Sequence, residues 1–201
     1  MSTFVRNSVA ALAIAGVAVG AAFAQGQPAG DGPPVLAKQI ATARGGTRLL
    51  VSSGAFTGGE AIPDKYTQNG DNVSPAINWV RGPTGTQSFV VLAEDSGVNR
   101  HDPIVHWVVY DIPSTVTSLP SSMPGDDKLE NGGMQGKNIA GKIGYIGPKP
   151  PAGQTHPYHF EVFALNTKLN LDPGADRNTV VNAMKGHVLA VGDLIGDYTG
   201  K

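Results

Sequence analysis

No cysteine occurs among the 201 residues. Disulfides, zinc–thiolate sites, CxxC redox motifs and cysteine nucleophiles are therefore excluded. An excess of either charge is missing too: 15 Lys+Arg face 16 Asp+Glu, a net of −1. That balance argues against nucleic-acid binding, which needs a basic face or stripe. It also argues against a polybasic membrane-surface protein. Aromatics at 6% and charged residues at 15% are both scarce. What is plentiful is Gly and Pro, 27 and 15 residues. Their joint share of about a fifth stays under the roughly 25–30% that marks low complexity. Hydrophobic residues reach 40%, enough for a packed core. The length favours one domain, since a domain takes about 100–200 residues. A Gly/Pro-rich, helix-poor chain points to short strands and many loops.

The N-terminus reads as a targeting segment. Arg6 is the one charge before Ser8–Gly20, which is almost all Ala, Val, Ile, Leu and Gly. Ala22-Phe23-Ala24 then supplies a small-x-small cleavage signal. This layout predicts a signal peptide over residues 1–24 and an exported protein, periplasmic or secreted. The apolar run is shorter than the about 20 residues a membrane span needs. No second run of that length follows, so the chain is not expected to span a membrane. Residues 25–46 carry Gln-Gly-Gln-Pro, Gly-Asp-Gly-Pro-Pro and Arg-Gly-Gly, and read as a flexible leader. Within it, Val35–Ala43 could form a short helical turn. Residues 47–201 are the expected folded domain.

That domain reads as strands joined by patterned loops. Candidate strands are Thr47–Ser52, Ala76–Val80, Ser88–Ala93, Ile104–Ile112 and Tyr158–Leu165. Pro75, Pro103, Pro113 and Pro157 punctuate their ends. One helix is predicted, capped by Asp176 or Asn178 and ending at Gly186. Strands without intervening helices predict a mainly β domain.

Three motif-like segments carry little. Glu94-Asp95-Ser96-Gly97 resembles the nucleophile segment of a chymotrypsin-like protease, but no His precedes Ser96. Gly141, Gly144 and Gly147 open no helix after a strand, so they make no dinucleotide loop. His156 and His159 have metal-pair spacing, yet residues three apart on a strand point to opposite faces. His101 and His187 sit in polar settings and read as exposed.

What remains is a spread constellation: Asp95, His106, His156 and Tyr158. Asp95 ends a buried strand, and His106 lies inside the next one. A His in such a run is as often a hydrogen-bonded core residue as a functional one. The turn Gly147-Pro148-Lys149-Pro150-Pro151 is stiff, because Pro fixes φ. It delivers the chain to His156-Pro157-Tyr158. A rigid loop presenting a His and a Tyr beside a strand-borne His and Asp suits a small polar pocket.

These residues fall in blocks that resemble one known family. The blocks are Phe56-Thr57-Gly58-Gly59 with Ile62-Pro63 and Tyr66, then Gly70-Asp71-Asn72-Val73-Ser74-Pro75-Ala76-Ile77-Asn78-Trp79. Ser88-Phe89-Val90-Val91-Leu92-Ala93-Glu94-Asp95 and His106-Trp107-Val108-Val109-Tyr110-Asp111-Ile112-Pro113 follow. Last come Gly144-Tyr145-Ile146-Gly147-Pro148-Lys149-Pro150-Pro151, His156-Pro157-Tyr158 and Phe163-Ala164-Leu165. Together, in this order from Arg48 to Tyr198, they resemble the phosphatidylethanolamine-binding protein family, in its bacterial Raf-kinase-inhibitor-like branch.

The resemblance implies a β-sandwich with a few short peripheral helices. It implies a surface pocket for phosphate-like anions or phospholipid headgroups, formed by Asp95, His106, His156 and Tyr158 and walled by Gly147, Pro148 and Trp79. No cofactor or metal is implied. The family's Asp-Pro-Asp-Ala-Pro loop is here Asp95-Ser96-Gly97-Val98-Asn99, and its Arg between the second His and the Tyr is Pro157. Losing that Arg is expected to weaken anion attraction, since Arg pairs phosphate bidentately. Asp95 beside a ligand-facing His106 is expected to favour the imidazolium form.

Three functional classes follow. The leading one is a non-enzymatic binding or regulatory protein that recognises an anionic ligand or headgroup and, through the same surface, a protein partner. The second is an enzyme, using Asp95, His106 and His156 as an acid/base set or as a two-His-one-carboxylate metal site. The third is an inhibitor-type module acting on a protease or other protein.

Overall fold

The computed structural model describes Met1 and residues 32–201. The expected signal peptide beyond Met1, and the expected leader up to residue 31, lie outside the described residues. The elements are α1 (Ala37–Ile40), β1 (Val51–Ser52), β2 (Ile77–Trp79), β3 (Ser88–Asp95), β4 (Ile104–Pro113) and β5 (Ser118–Leu119), followed by β6 (Met134–Gln135), β7 (Thr155–Leu165), α2 (Arg177–Met184) and β8 (Val188–Thr199). Two antiparallel sheets result, one ordered β1-β2-β5 and one ordered β6-β4-β3-β7-β8.

The large sheet is apolar on both faces, which explains why β3 reads as a continuous hydrophobic run rather than an alternating one. One face packs Phe89, Val91, Trp107, Val109, Phe160 and Val162 against Ile77, Trp79 and Leu119 of the small sheet. The other packs Val90, Leu92, Val108, Tyr110 and Phe163 against Val180, Val181 and Met184 of α2. Asp176 caps α2: its carboxylate accepts the Thr179 N–H at 2.8 Å. The mainly β sandwich with short helices is thus the observed architecture.

Two differences from the sequence reading have physical causes. β8 is the longest strand, and the sequence reading missed it. Its Gly192 and Gly196 interrupt the β-branched pattern, yet each is needed for close approach. A Cβ on Gly192 would overlap Leu49 and Val51, and one on Gly196 would overlap Phe56 and Ile62. The second correction concerns the leader. Its described part is docked, with Leu36, Ala37 and Ala41 buried. The Ala37 N–H donates to Glu94 at 2.9 Å, and Arg177 donates to the Val35 carbonyl at 2.8 Å. Three apolar side chains and two charge-assisted bonds hold what composition alone assigns to a linker.

Candidate functional site

His106 owes its direction to a β-bulge. Along β3 and β4, Ala93 pairs Trp107 while Glu94 pairs Val105, so His106 is the extra residue. A bulge breaks strict alternation and re-aims a side chain. The His106 ring therefore meets Tyr158 edge-on, centroids 5.1 Å apart and planes at 83°. Asp95, one register pair from the bulge, lies opposite Tyr158 across β3 and β7. Two residues along β7, His156 directs Nδ1 at the Asp95 carboxylate, at 2.9 and 3.1 Å from its oxygens. Asp95, His106, His156 and Tyr158 thus share one neighbourhood, each at most 5% exposed.

Each ring nitrogen has a defined task. His106 Nδ1 lies 2.7 Å from the Ile146 carbonyl, so Nδ1 carries the hydrogen and donates. Nε2 then faces inward with no protein partner, and so does the Tyr158 hydroxyl. Burial pushes the His106 pKa below its ordinary value, against smaller raising effects from the Ile146 carbonyl and Asp95. Burial therefore favours the neutral ring, in which Nε2 presents a lone pair. This corrects the expected Asp95–His106 partnership: the carboxylate binds His156. Burial also pushes the Tyr158 phenol up, with Asp95's charge adding to it, so the hydroxyl keeps its proton and remains a donor.

The proline-rich turn is fastened from below. Asn72, in the left-handed region at φ 55°, accepts the Gly147 N–H at 2.7 Å. Gln68 donates to the Gly147 carbonyl at 2.8 Å and its N–H reaches the Pro148 carbonyl at 3.0 Å. A Cβ on Gly147 would strike the backbone of Tyr66 and Thr67, so only Gly allows this docking. The Ile146 N–H in turn donates to the His106 carbonyl at 2.9 Å. Gly147 and Pro148 are buried and follow Ile146, the His106 partner.

Trp79 is not part of the expected pocket wall. It packs edge-on against Phe89, centroids 5.4 Å apart, in the core between the sheets. Phe89 and Asp95 lie near opposite ends of β3, about 20 Å apart at strand rise. Pro157 also needs correction. Strand alternation puts residue 157 on the face opposite His156 and Tyr158, so an Arg there would point away from this cluster. Gly97 has a positive role instead: a Cβ there would overlap the His156 ring. Asn72, Ile146 and Gln154, whose Oε1 is 3.4 Å from His156 Nε2, were missed as site residues. The Asp71-Asn72 turn signal was the one available clue to them.

His156 and His159 do face opposite sides. His159 Nδ1 lies 2.9 Å from Asp193 and Nε2 lies 3.0 Å from Ser96 Oγ. Surface hollows occur elsewhere; one is lined by Arg100, Asp102, Lys137 and Asp176, another by Phe56, Gly58 and Leu194. Neither holds a cluster of buried, unpartnered polar atoms. Among the described residues no group of three His, Cys, Asp or Glu side chains could hold a metal ion. Nor is any described helix long and apolar enough to cross a membrane.

Comparison with known proteins gives a consistent result. The family model described as phosphatidylethanolamine-binding protein matches residues 52–199. The UPF0098 protein of Aquifex aeolicus is 43% identical over 159 residues, covering 77% of this chain and 90% of the relative. That of Methanothermobacter thermautotrophicus is 40% identical over 144 residues, covering 72% and 94%. Among solved structures, E. coli YbcL superposes with a TM-score of 0.71 at 32% identity, covering 77% of this chain and all of the other. The homologue CT736 of Chlamydia trachomatis gives 0.69 at 32% identity, covering 77% and 99%. The matched span runs from β1 to the end of β8 and contains all four clustered residues, and the chain belongs to the phosphatidylethanolamine-binding protein family.

Proposed function

We propose that this is an exported, non-enzymatic binding protein whose Asp95–His106–His156–Tyr158 cluster takes a phosphate-like anion, such as a phospholipid headgroup. One observation carries the reading. Two buried polar atoms at the centre of the cluster, His106 Nε2 and the Tyr158 hydroxyl, have no protein partner. Buried polar groups are normally satisfied, and each unsatisfied one costs about 1–3 kcal/mol. A ligand oxygen between them relieves both. Tyr158 donates as it stands. His106 donates once it gains a proton, or accepts one from a singly protonated phosphate. His156 is anchored on Asp95 through Nδ1, and its Nε2 lies 3.4 Å from Gln154 Oε1.

Calorimetric titration of the mature protein with phosphate, phosphoethanolamine and acetate tests this. His106→Ala is expected to weaken phosphate binding by about 1.5–3 kcal/mol, the worth of a charge-assisted hydrogen bond. Unchanged affinity would falsify the assignment. Export rests on the residue 1–24 pattern, and the N-terminal sequence of the secreted or periplasmic protein tests it. A chain still beginning at Met1 contradicts it.

A further inference from the structure

The sheet carries a second histidine site on its other face. Ser96 follows Asp95 directly, and alternation turns it away from the anion cluster. Its Oγ lies 3.0 Å from His159 Nε2, and His159 Nδ1 lies 2.9 Å from Asp193 Oδ2. Two bare acceptors would repel at the second distance, so Nδ1 bears the hydrogen and donates to the carboxylate. Nε2 then holds a lone pair and accepts the Ser96 hydroxyl proton. Hydroxyl, imidazole and carboxylate are thus joined in the sense required for a serine nucleophile. The Ser–Gly segment does not fit the chymotrypsin-like order, because no His precedes it in the chain. Such a relay is defined by geometry, and here both partners come from downstream strands, β7 and β8.

The surroundings refine what this serine can do. Ser96 is half-buried and the next residue, Gly97, is exposed, so a small reagent can approach from the loop. Its backbone N–H is held by the Pro157 carbonyl at 3.1 Å, which fixes the side chain's origin. The Gly97 N–H is committed to Asp95 at 2.7 Å. Neither amide is therefore free to stabilise an oxyanion, normally a large part of acyl-transfer catalysis. Lys38 also donates to the Asp193 carboxylate and sits 3.3 Å from His159 Nδ1, which disfavours a long-lived imidazolium. Glu94, paired with Arg177, and Glu161 are further charged groups on this face.

The geometry points to Ser96 as an activated nucleophile that takes an acyl or phosphonyl group from a small reactive electrophile, once per chain and without rapid turnover. With an alkyl fluorophosphonate, the Oγ–P bond forms as the P–F bond breaks and fluoride leaves. The serine proton passes to His159 Nε2 and from there to solvent.

The test is fluorophosphonate labelling of the mature full-length protein, read by intact mass and peptide mapping. One adduct per chain on Ser96 is expected, absent in Ser96→Ala. In His159→Gln, with its thermal unfolding checked, Ser96 labelling should slow by on the order of 100-fold or more. No Ser96 adduct in the wild-type protein overturns the proposal, whatever the variants do. An adduct formed equally fast without His159 overturns it as well. Anion binding by the His106 cluster is measured separately, so neither result decides the other.

Discussion

The two ring nitrogens of His106 live in different surroundings, and their difference sets the pH behaviour expected of the proposed anion site. Nδ1 is tied to the Ile146 carbonyl, while Nε2 is buried without a partner. Burial holds its folded pKa below the ordinary 6.5. A depressed value means that this group's stability contribution is full above the unfolded pKa and is lost as pH falls through it toward the folded value. A bound anion reverses the balance, since it favours the imidazolium. Phosphate affinity is therefore expected to rise as pH falls from 8 to 6, a trend that vanishes in His106→Ala. Glu161 behaves oppositely. Burial, with the charges of Glu94 and Asp193, raises its pKa well above the usual 4.5. Its contribution is full below the unfolded value and is lost as pH rises toward the folded one. Glu161→Gln should thus stabilise the fold by on the order of 1–3 kcal/mol at pH 7.5. The gain should shrink toward zero by pH 4.5 in denaturant titrations. A gain that does not depend on pH would contradict the argument. Asp95, His106, His156 and Tyr158 were legible from residue type and from the family resemblance. The His106 tautomer was not, because it depends on a carbonyl 40 residues away.

At the scale of elements, strands announced themselves by apolar runs and the helix by its cap. β3, β4 and β7 each appear close to their expected span. β8 did not announce itself, because tertiary crowding placed glycines where local propensity asks for side chains. The bulge that turns His106 was equally illegible, being a property of two strands' register. The loop from Gly144 to Pro151 is an element without secondary structure, and Asn72 and Gln68 help to hold it. Asn72→Ala removes that bond and the left-handed residue that supplies it. A loss of about 1–3 kcal/mol in stability is expected, together with weaker anion binding. Unchanged phosphate affinity would show that the loop's position does not matter. The docked N-terminal segment belongs to this scale as well. Arg177 bridges Glu94 at 2.7 Å and the Val35 carbonyl at 2.8 Å. A chain starting at Thr47 should lose at least about 2 kcal/mol by chemical denaturation, because the apolar contacts of Leu36 and Ala37 are gone and a Glu94 oxygen is left without its Ala37 N–H. A flexible leader would leave stability unchanged.

For the molecule as a whole, one sheet separates two chemistries. On one face an Asp–His pair stands beside unpartnered polar atoms; on the other an Asp–His pair holds a serine. Neighbouring residues, Asp95 and Ser96, serve the two sides because a strand alternates. With no cysteine, two apolar layers and a few buried ion pairs hold this arrangement. The central claim is that the unpartnered Nε2 of His106 awaits an anion. Calorimetric titration with sulfate at pH 7, in two buffers of different ionisation enthalpy, tests it most directly. Sulfate carries no proton at this pH, so any proton taken up goes to the protein. The account predicts one saturable site with uptake of about one proton per anion, the uptake lost in His106→Ala. Absence of saturable binding, or proton uptake that persists in His106→Ala, would contradict it.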